Sequence, residues 1–141
     1  GGGSDTSEYE SQLHELAAGD ERIVFTGFVS GEPLAELYSN CLAYVLPSDV
    51  EGMPMSLLEA MAYGCCCVTS DIPECADVLF GSGMTFEKGS VDSLRNALRD
   101  VLANDKLVGR FGAAAKAHVG NAYTWDSVVE QTLEIYERIL R

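Results

Sequence analysis

Two glutamates with a turn between them are the residues of this chain best suited to chemistry. Glu51-Gly-Met-Pro-Met-Ser-Leu-Leu-Glu59 sets two carboxylates eight positions apart, around Gly52 and Pro54, where an apolar helical stretch begins. Ionised carboxylates only accept hydrogen bonds, which suits a ligand rich in hydroxyls. The start of a helix leaves backbone N–H groups without internal partners and favours an anion. A ligand that is both sugar and phosphate, such as a nucleotide sugar, matches both halves.

Each residue taken singly also has a blander use. An acid ahead of a helix gains about 0.3–1 kcal/mol from the helix dipole, which would account for Glu51 alone. Glu59 lies beside Leu57, Leu58 and Met61 and could occupy the solvated face. Gly52 serves a turn, although it also lets a ligand approach the backbone closely. Met53 and Met55 read as packing side chains whose amides, with that of Ser56, are the useful groups. The pair of glutamates with Gly52 and Pro54 between them favours a ligand site. Asp71 and Glu74 flank Pro73 and read as loop caps. Asp49, Glu51 and Asp71 have the chemistry for a hard cation, but nothing in their spacing demands one, so no metal and no cofactor is expected. His14 and His118 fall on expected helices away from this turn.

The elements that must hold the turn follow from apolar periodicity and from Gly and Pro punctuation. Gly1 to Ser4 read as a linker or cloning remnant, and residues 1–7 are set apart from the fold. Ser7-x-x-Glu10 is a capping box for a helix to about Ala18. Arg22 to Thr26 reads as a strand ending at Gly27, Glu32 to Ser39 as a short helix, and Leu42 to Leu46 as a buried strand closed by Pro47. Pro54 to Tyr63 is a helix stopped by Gly64, and Cys65 to Ser70 is an apolar strand. Gly83 to Phe86 is expected as a fourth strand. Helices over Val91 to Ala103, Asp105 to about Asn121 and Trp125 to Leu140 complete the chain, with Ser90 and Thr124 as caps. Strands alternating with helices imply an α/β domain: a Rossmann-like parallel sheet of about four strands, with helices on both faces. Such sheets bind ligands beyond the carboxyl ends of their strands. The loops Gly27–Val29, Pro47–Pro54 and Ser70–Glu74 belong at that edge.

Composition narrows the partners. With 141 residues and 47% hydrophobic content, the chain suits one globular domain with a substantial core. Its net charge of −13 argues against nonspecific binding to nucleic acid or anionic membrane. There is no apolar run of membrane-spanning length and no opening signal segment, so a cytoplasmic location is expected. Five cysteines, three of them consecutive (Cys65, Cys66 and Cys67), fit neither a disulfide framework nor a C-x-x-C site. They read as small apolar residues of a buried strand.

Several segments together resemble a known family. Pro47-Ser48, Glu51 to Gly64, Val68-Thr-Ser-Asp71-Ile-Pro73-Glu74, Arg22 to Phe28, and Thr124-Trp125 are similar to the nucleotide-sugar domain of retaining GT-B glycosyltransferases of family 4, the glycosyl transferases group 1. The resemblance covers nearly all of the chain from about residue 8. It implies that residues 8–141 are a partial C-terminal nucleotide-sugar-binding domain, half of a GT-B architecture. Glu51 would then bind hydroxyls of the donor sugar and support the reacting centre. Gly52, Met53, Pro54, Met55 and Ser56 would meet sugar and diphosphate through the backbone, and Glu59 would hold the ribose. The backbone of Phe28 and Val29 would flank the base. The implied reaction moves a hexosyl group from a nucleoside-diphosphate sugar to an acceptor hydroxyl with retention. Front-face attack assisted by the leaving phosphate needs no metal.

A leaving diphosphate also needs preorganised positive charge. The chain has no Lys or Arg between Arg22 and Lys88, the interval holding all three proposed loops. The family supplies an Arg and a Lys from an earlier strand–loop–helix. The expectation is therefore a truncated domain that lacks that segment and the N-terminal acceptor domain and is inactive alone. An open sheet edge would make it self-associate, and a membrane-surface acceptor belongs to the full protein. Cys66 stands where the family often has Pro. Two alternatives remain: another GT-B enzyme, such as a sugar-nucleotide epimerase or a phosphorylase, and a noncatalytic α/β interaction module.

Overall fold

In the computed structural model, residues 7–140 are described. Residues 1–6, with the expected linker, and the Ser7 side chain, expected as a cap, lie outside that description. The chain divides into two compact units, one ending at Leu37 and one beginning at Tyr38.

The first unit holds helix α1 (Ser7–Ala17) and the start of α2 (Glu32–Asn40). The strand expected over Arg22 to Thr26 does not form. Asp20 opens a turn instead: its carbonyl accepts from the Ile23 N–H at 3.1 Å, and its carboxylate holds both the amide and the guanidinium of Arg22. Val24 and Phe25 therefore pass in open backbone, with the Phe25 ring against that of His14, tilted by 30° at 3.8 Å between centroids. A strand needs a neighbour for its backbone groups, and among the described residues these have none.

The second unit carries the sheet. Strands β1 (Tyr44–Leu46), β2 (Cys67–Ser70) and β3 (Met84–Phe86) are parallel in the order β1-β2-β3. Tyr44 pairs with Cys67, and Val68 pairs with Met84. The expected sheet of about four strands is thus three-stranded among the described residues, because 22–26 contributes no ladder. The central strand β2 is buried throughout, as a strand covered on both faces must be. Cys66 and Val68 join Phe86, Ala97 and Val101 in a core completed by Leu94, Val108 and Phe111. Side chains alternate along a strand, so Cys67 and Thr69 turn to the opposite face.

Helix α3 (Met55–Tyr63) links β1 to β2, and α4 (Pro73–Leu79) links β2 to β3. The sequence suggests a loop as far as Glu74 and no regular element over 73–79. Pro73 in fact opens the helix, where its fixed φ is favourable and its missing N–H is not needed. Helices α5 (Val91–Ala103), α6 (Asp105–Ala122) and α7 (Trp125–Ile139) follow close to their expected limits. Ser90 and Thr124 accept from the N–H groups of Ser93 and Ser127, as their capping positions require.

Helix α3 ends on Gly64, whose φ of 83° is left-handed and whose N–H returns to the Ala60 and Met61 carbonyls. Gly112 of α6 lies directly against the Gly64 carbonyl, closely enough that a Cβ there would overlap it. The two helices meet backbone to backbone at this point.

Candidate functional site

The carboxyl ends of three parallel strands define one edge. Residues 47–54 follow β1, Asp71 and Ile72 follow β2, and residues 87–90 follow β3. The loop after β1 carries Glu51, and its neighbours fasten it at successive carbonyls. Ser70 Oγ, at the end of β2, donates to the Ser48 carbonyl at 2.5 Å. Lys88 Nζ, from the loop after β3, donates to the Asp49 carbonyl at 2.8 Å. The Lys88 N–H donates to Asp71 Oδ1 at 2.9 Å, so Lys88 ties all three loops together. Ser48 Oγ then donates to Glu51 Oε1 at 2.6 Å. Among the described residues, Glu51 Oε2 has no hydrogen-bond partner.

Lys88 revises the electrostatic expectation. The interval without cations ends at Lys88, and the loop after β3 returns that residue to the edge of the site. The loop after Phe86 is a site element beyond the three expected from the sequence. The signal was available, because a parallel strand ending at Phe86 must deliver the next residues to the same edge as the others.

Pro54 precedes α3 without a side-chain cap, and its carbonyl accepts from the N–H groups of Leu57 and Leu58. The Met55 amide, expected to face a ligand, is taken up by the Met53 carbonyl at 2.8 Å, which closes the turn. The amides of Gly52, Met53 and Ser56 make no hydrogen bond among the described residues. Met53 and Met55 are exposed rather than packed. In α3 the 3.6-residue period buries Leu57, Ala60 and Met61 and leaves Met55, Ser56 and Glu59 facing outward.

Two tyrosines missed in the sequence support that outward face. Tyr44 Oη donates to Ser56 Oγ at 2.8 Å. Tyr38 Oη lies 3.4 Å from both Glu59 Oε2 and the Ser56 carbonyl, and its ring stacks on Tyr63. Burial pushes the Tyr38 phenol up to about 12, with Tyr44 and the Glu59 carboxylate adding to the rise. Tyr38 therefore stays a neutral donor toward Glu59. Burial also raises Tyr44, against the lowering effect of its bond to Ser56. The available hint was Tyr44, a polar-tipped aromatic in the middle of the apolar stretch Leu42 to Leu46.

Phe28 and Val29 belong to the first unit, where Phe28 is exposed and, among the described residues, no strand precedes them. His14 is likewise in the first unit, and His118 stacks on Phe80. Among the described residues, no three His, Cys, Asp or Glu side chains are gathered to hold a metal ion. No described helix is long and apolar enough to cross a membrane.

Chemically, the edge offers a braced carboxylate with one open oxygen and a second carboxylate on a helix face beside a phenol. Unpaired amides lie between them, with one ammonium alongside. The family profile of the glycosyl transferases group 1 matches residues 1–118. The chain belongs to that family. Within it, an uncharacterized glycosyltransferase of Methanocaldococcus jannaschii is 28% identical over 138 residues, covering 96% of this chain and 35% of that protein. The O-antigen chain mannosyltransferase B of Escherichia coli is 26% identical over 126 residues, covering 89% of this chain and 33% of that protein. The chain thus spans about a third of the length of these relatives. In fold it superimposes on sucrose-phosphate synthase of Thermosynechococcus elongatus with a TM-score of 0.85 at 22% identity, over 99% of this chain and 37% of that one. That likeness shows the fold of the matched part, a parallel α/β domain of the kind found in GT-B glycosyltransferases.

Proposed function

We propose that this chain is the donor-binding part of a retaining hexosyltransferase that uses a nucleoside-diphosphate sugar. The observation that carries this reading is the bracing of the Glu51–Glu59 segment. Three strand-end loops fix the turn, while Glu51 Oε2, the outer face of Glu59 and the amides of Gly52, Met53 and Ser56 stay open. Fixed acceptors suit sugar hydroxyls. Amides at the head of a helix suit the diphosphate, whose charge grows as the glycosidic bond breaks. In this reading Glu51 supports the transferred sugar and Glu59, oriented by Tyr38, holds the ribose. The free amides of Gly52, Met53 and Ser56 meet sugar and diphosphate. The hexosyl assignment is supported by the mannosyltransferase among the relatives.

One ammonium beside an acid-rich loop is little charge for a leaving diphosphate, so the isolated chain binds donor and does not turn it over. The acceptor, including one at a membrane surface, is met by an N-terminal domain of the whole enzyme. Titration of the chain with UDP-glucose, GDP-mannose and ADP-glucose, followed by calorimetry, tests the reading. One donor is expected to bind, and Glu59→Ala to weaken it at least about tenfold, the order expected for losing charged hydrogen bonds. No heat from any of the three at millimolar concentration would sink the proposal and favour the noncatalytic module.

A further inference from the structure

Cys41 and Cys65 stand with their sulfurs 3.5 Å apart, outside the site described above. The first lies between α2 and β1, the second between α3 and β2, and the parallel register brings them together. Tyr44 opposes Cys67, so continuing the ladder backward sets Leu42 opposite Cys65, with Cys41 adjoining. Both thiols reach the Tyr38 carbonyl, at 3.5 Å from Cys41 and 3.2 Å from Cys65. That carbonyl is among the last of α2, which a helix leaves without internal donors. Cys41 is exposed and Cys65 is buried, whereas Cys66, Cys67 and Cys75 are all buried.

We propose that Cys41 and Cys65 form a peroxide-driven thiol–disulfide site, with Cys41 as the thiol that meets the oxidant and Cys65 as the one that resolves it. The 3.5 Å between the sulfurs must shorten to a bond of about 2.05 Å. The Cys41 sulfur attacks a peroxide oxygen, the O–O bond breaks, and the departing hydroxide takes up the thiol proton as water. Cys41 is then a sulfenic acid. The Cys65 thiolate attacks the Cys41 sulfur, the S–O bond breaks, and the second hydroxide leaves as water with the proton Cys65 gave up. Two thiols and one hydrogen peroxide yield one disulfide and two waters. The bond closes a loop from residue 41 to residue 65 that contains the whole Glu51–Glu59 segment. It also removes both thiol donors from the carbonyl of Tyr38, the residue that reaches Glu59.

Burial pushes the Cys65 thiol up to about 12, with Cys41 adding to the rise, so the second step is slow at neutral pH and base-accelerated. The site stands independently of the glycosyl-transfer reading. The test treats the reduced, folded chain with hydrogen peroxide, blocks remaining thiols, and maps peptides without reduction. The expected result is a peptide pair joining Cys41 to Cys65. Its rate of formation should rise about tenfold per pH unit wherever resolution by the thiolate is limiting. In Cys41→Ser, which changes an exposed position, Cys65 should remain a free thiol under the same treatment. A Cys41 carried to the sulfinic acid without cross-linking, a disulfide linking Cys65 to another cysteine, or oxidation of Cys65 in the Cys41→Ser variant overturns the proposal.

Discussion

Glu51 shows how little of a candidate site residue's placement resides in its own side chain. Its Oε1 is held by Ser48, whose carbonyl is held by Ser70, while Lys88 holds the next carbonyl along. Lys88→Met should therefore weaken donor binding about three- to tenfold, the lower part of the range for a charged hydrogen bond because Lys88 is half exposed. Calorimetry on the variant checks this, and donor affinity equal to that of the parent chain would remove Lys88 from the site. Glu51, Glu59 and the turn between them were legible from residue type and spacing. Lys88, Tyr38 and Tyr44 were not, because their roles come from strand register and loop return, and neither is written in a local stretch of sequence. The Met55 amide was misjudged for a related reason: a turn this tight spends one of its own donors on closure.

At the scale of elements, the buried thiols in and around the central strand, with Tyr38 of α2, carry a pH dependence. Burial pushes Cys65 from 9.0 to about 12 and Tyr38 from 10.0 to about 12, and it raises Cys66, Cys67 and Cys75 as well. Each folded value lies above the unfolded one, so the folded chain holds more protons in the interval between them. Stability from these groups is complete below about pH 9 and is lost as pH rises toward 12. Denaturant midpoints measured from pH 7 to pH 11 should fall only above pH 9, and a flat profile would contradict the burial of these thiols. Helices α3, α5, α6 and α7, with their glycine stop and serine and threonine caps, were legible because their signals are local. The segment 22–26 was not, since its β-branched pattern describes a strand only if another strand accepts its backbone. The Asp20–Arg22 turn provides a local alternative that composition does not reveal.

At the scale of the whole molecule, the unsatisfied surface lies less on the sheet edge than on α7. Strand β1 offers only three residues, all half-buried, whereas α7 buries none of its own. Trp125, Val129, Leu133 and Tyr136 are all exposed at helical spacing. The self-association expected from the sequence is thus better carried by this stripe. Sedimentation at rising concentration should show dimers or larger species, and Trp125→Glu with Leu133→Glu should return the chain to monomer. A parent chain that stays monomeric at high concentration would refute it. The backbone contact of Gly112 with Gly64 sets how closely α3 and α6 approach. A Cβ on residue 112 would fall on the Gly64 carbonyl, so any larger residue there must push α3 off α6 and carry the braced Glu51–Glu59 segment with it.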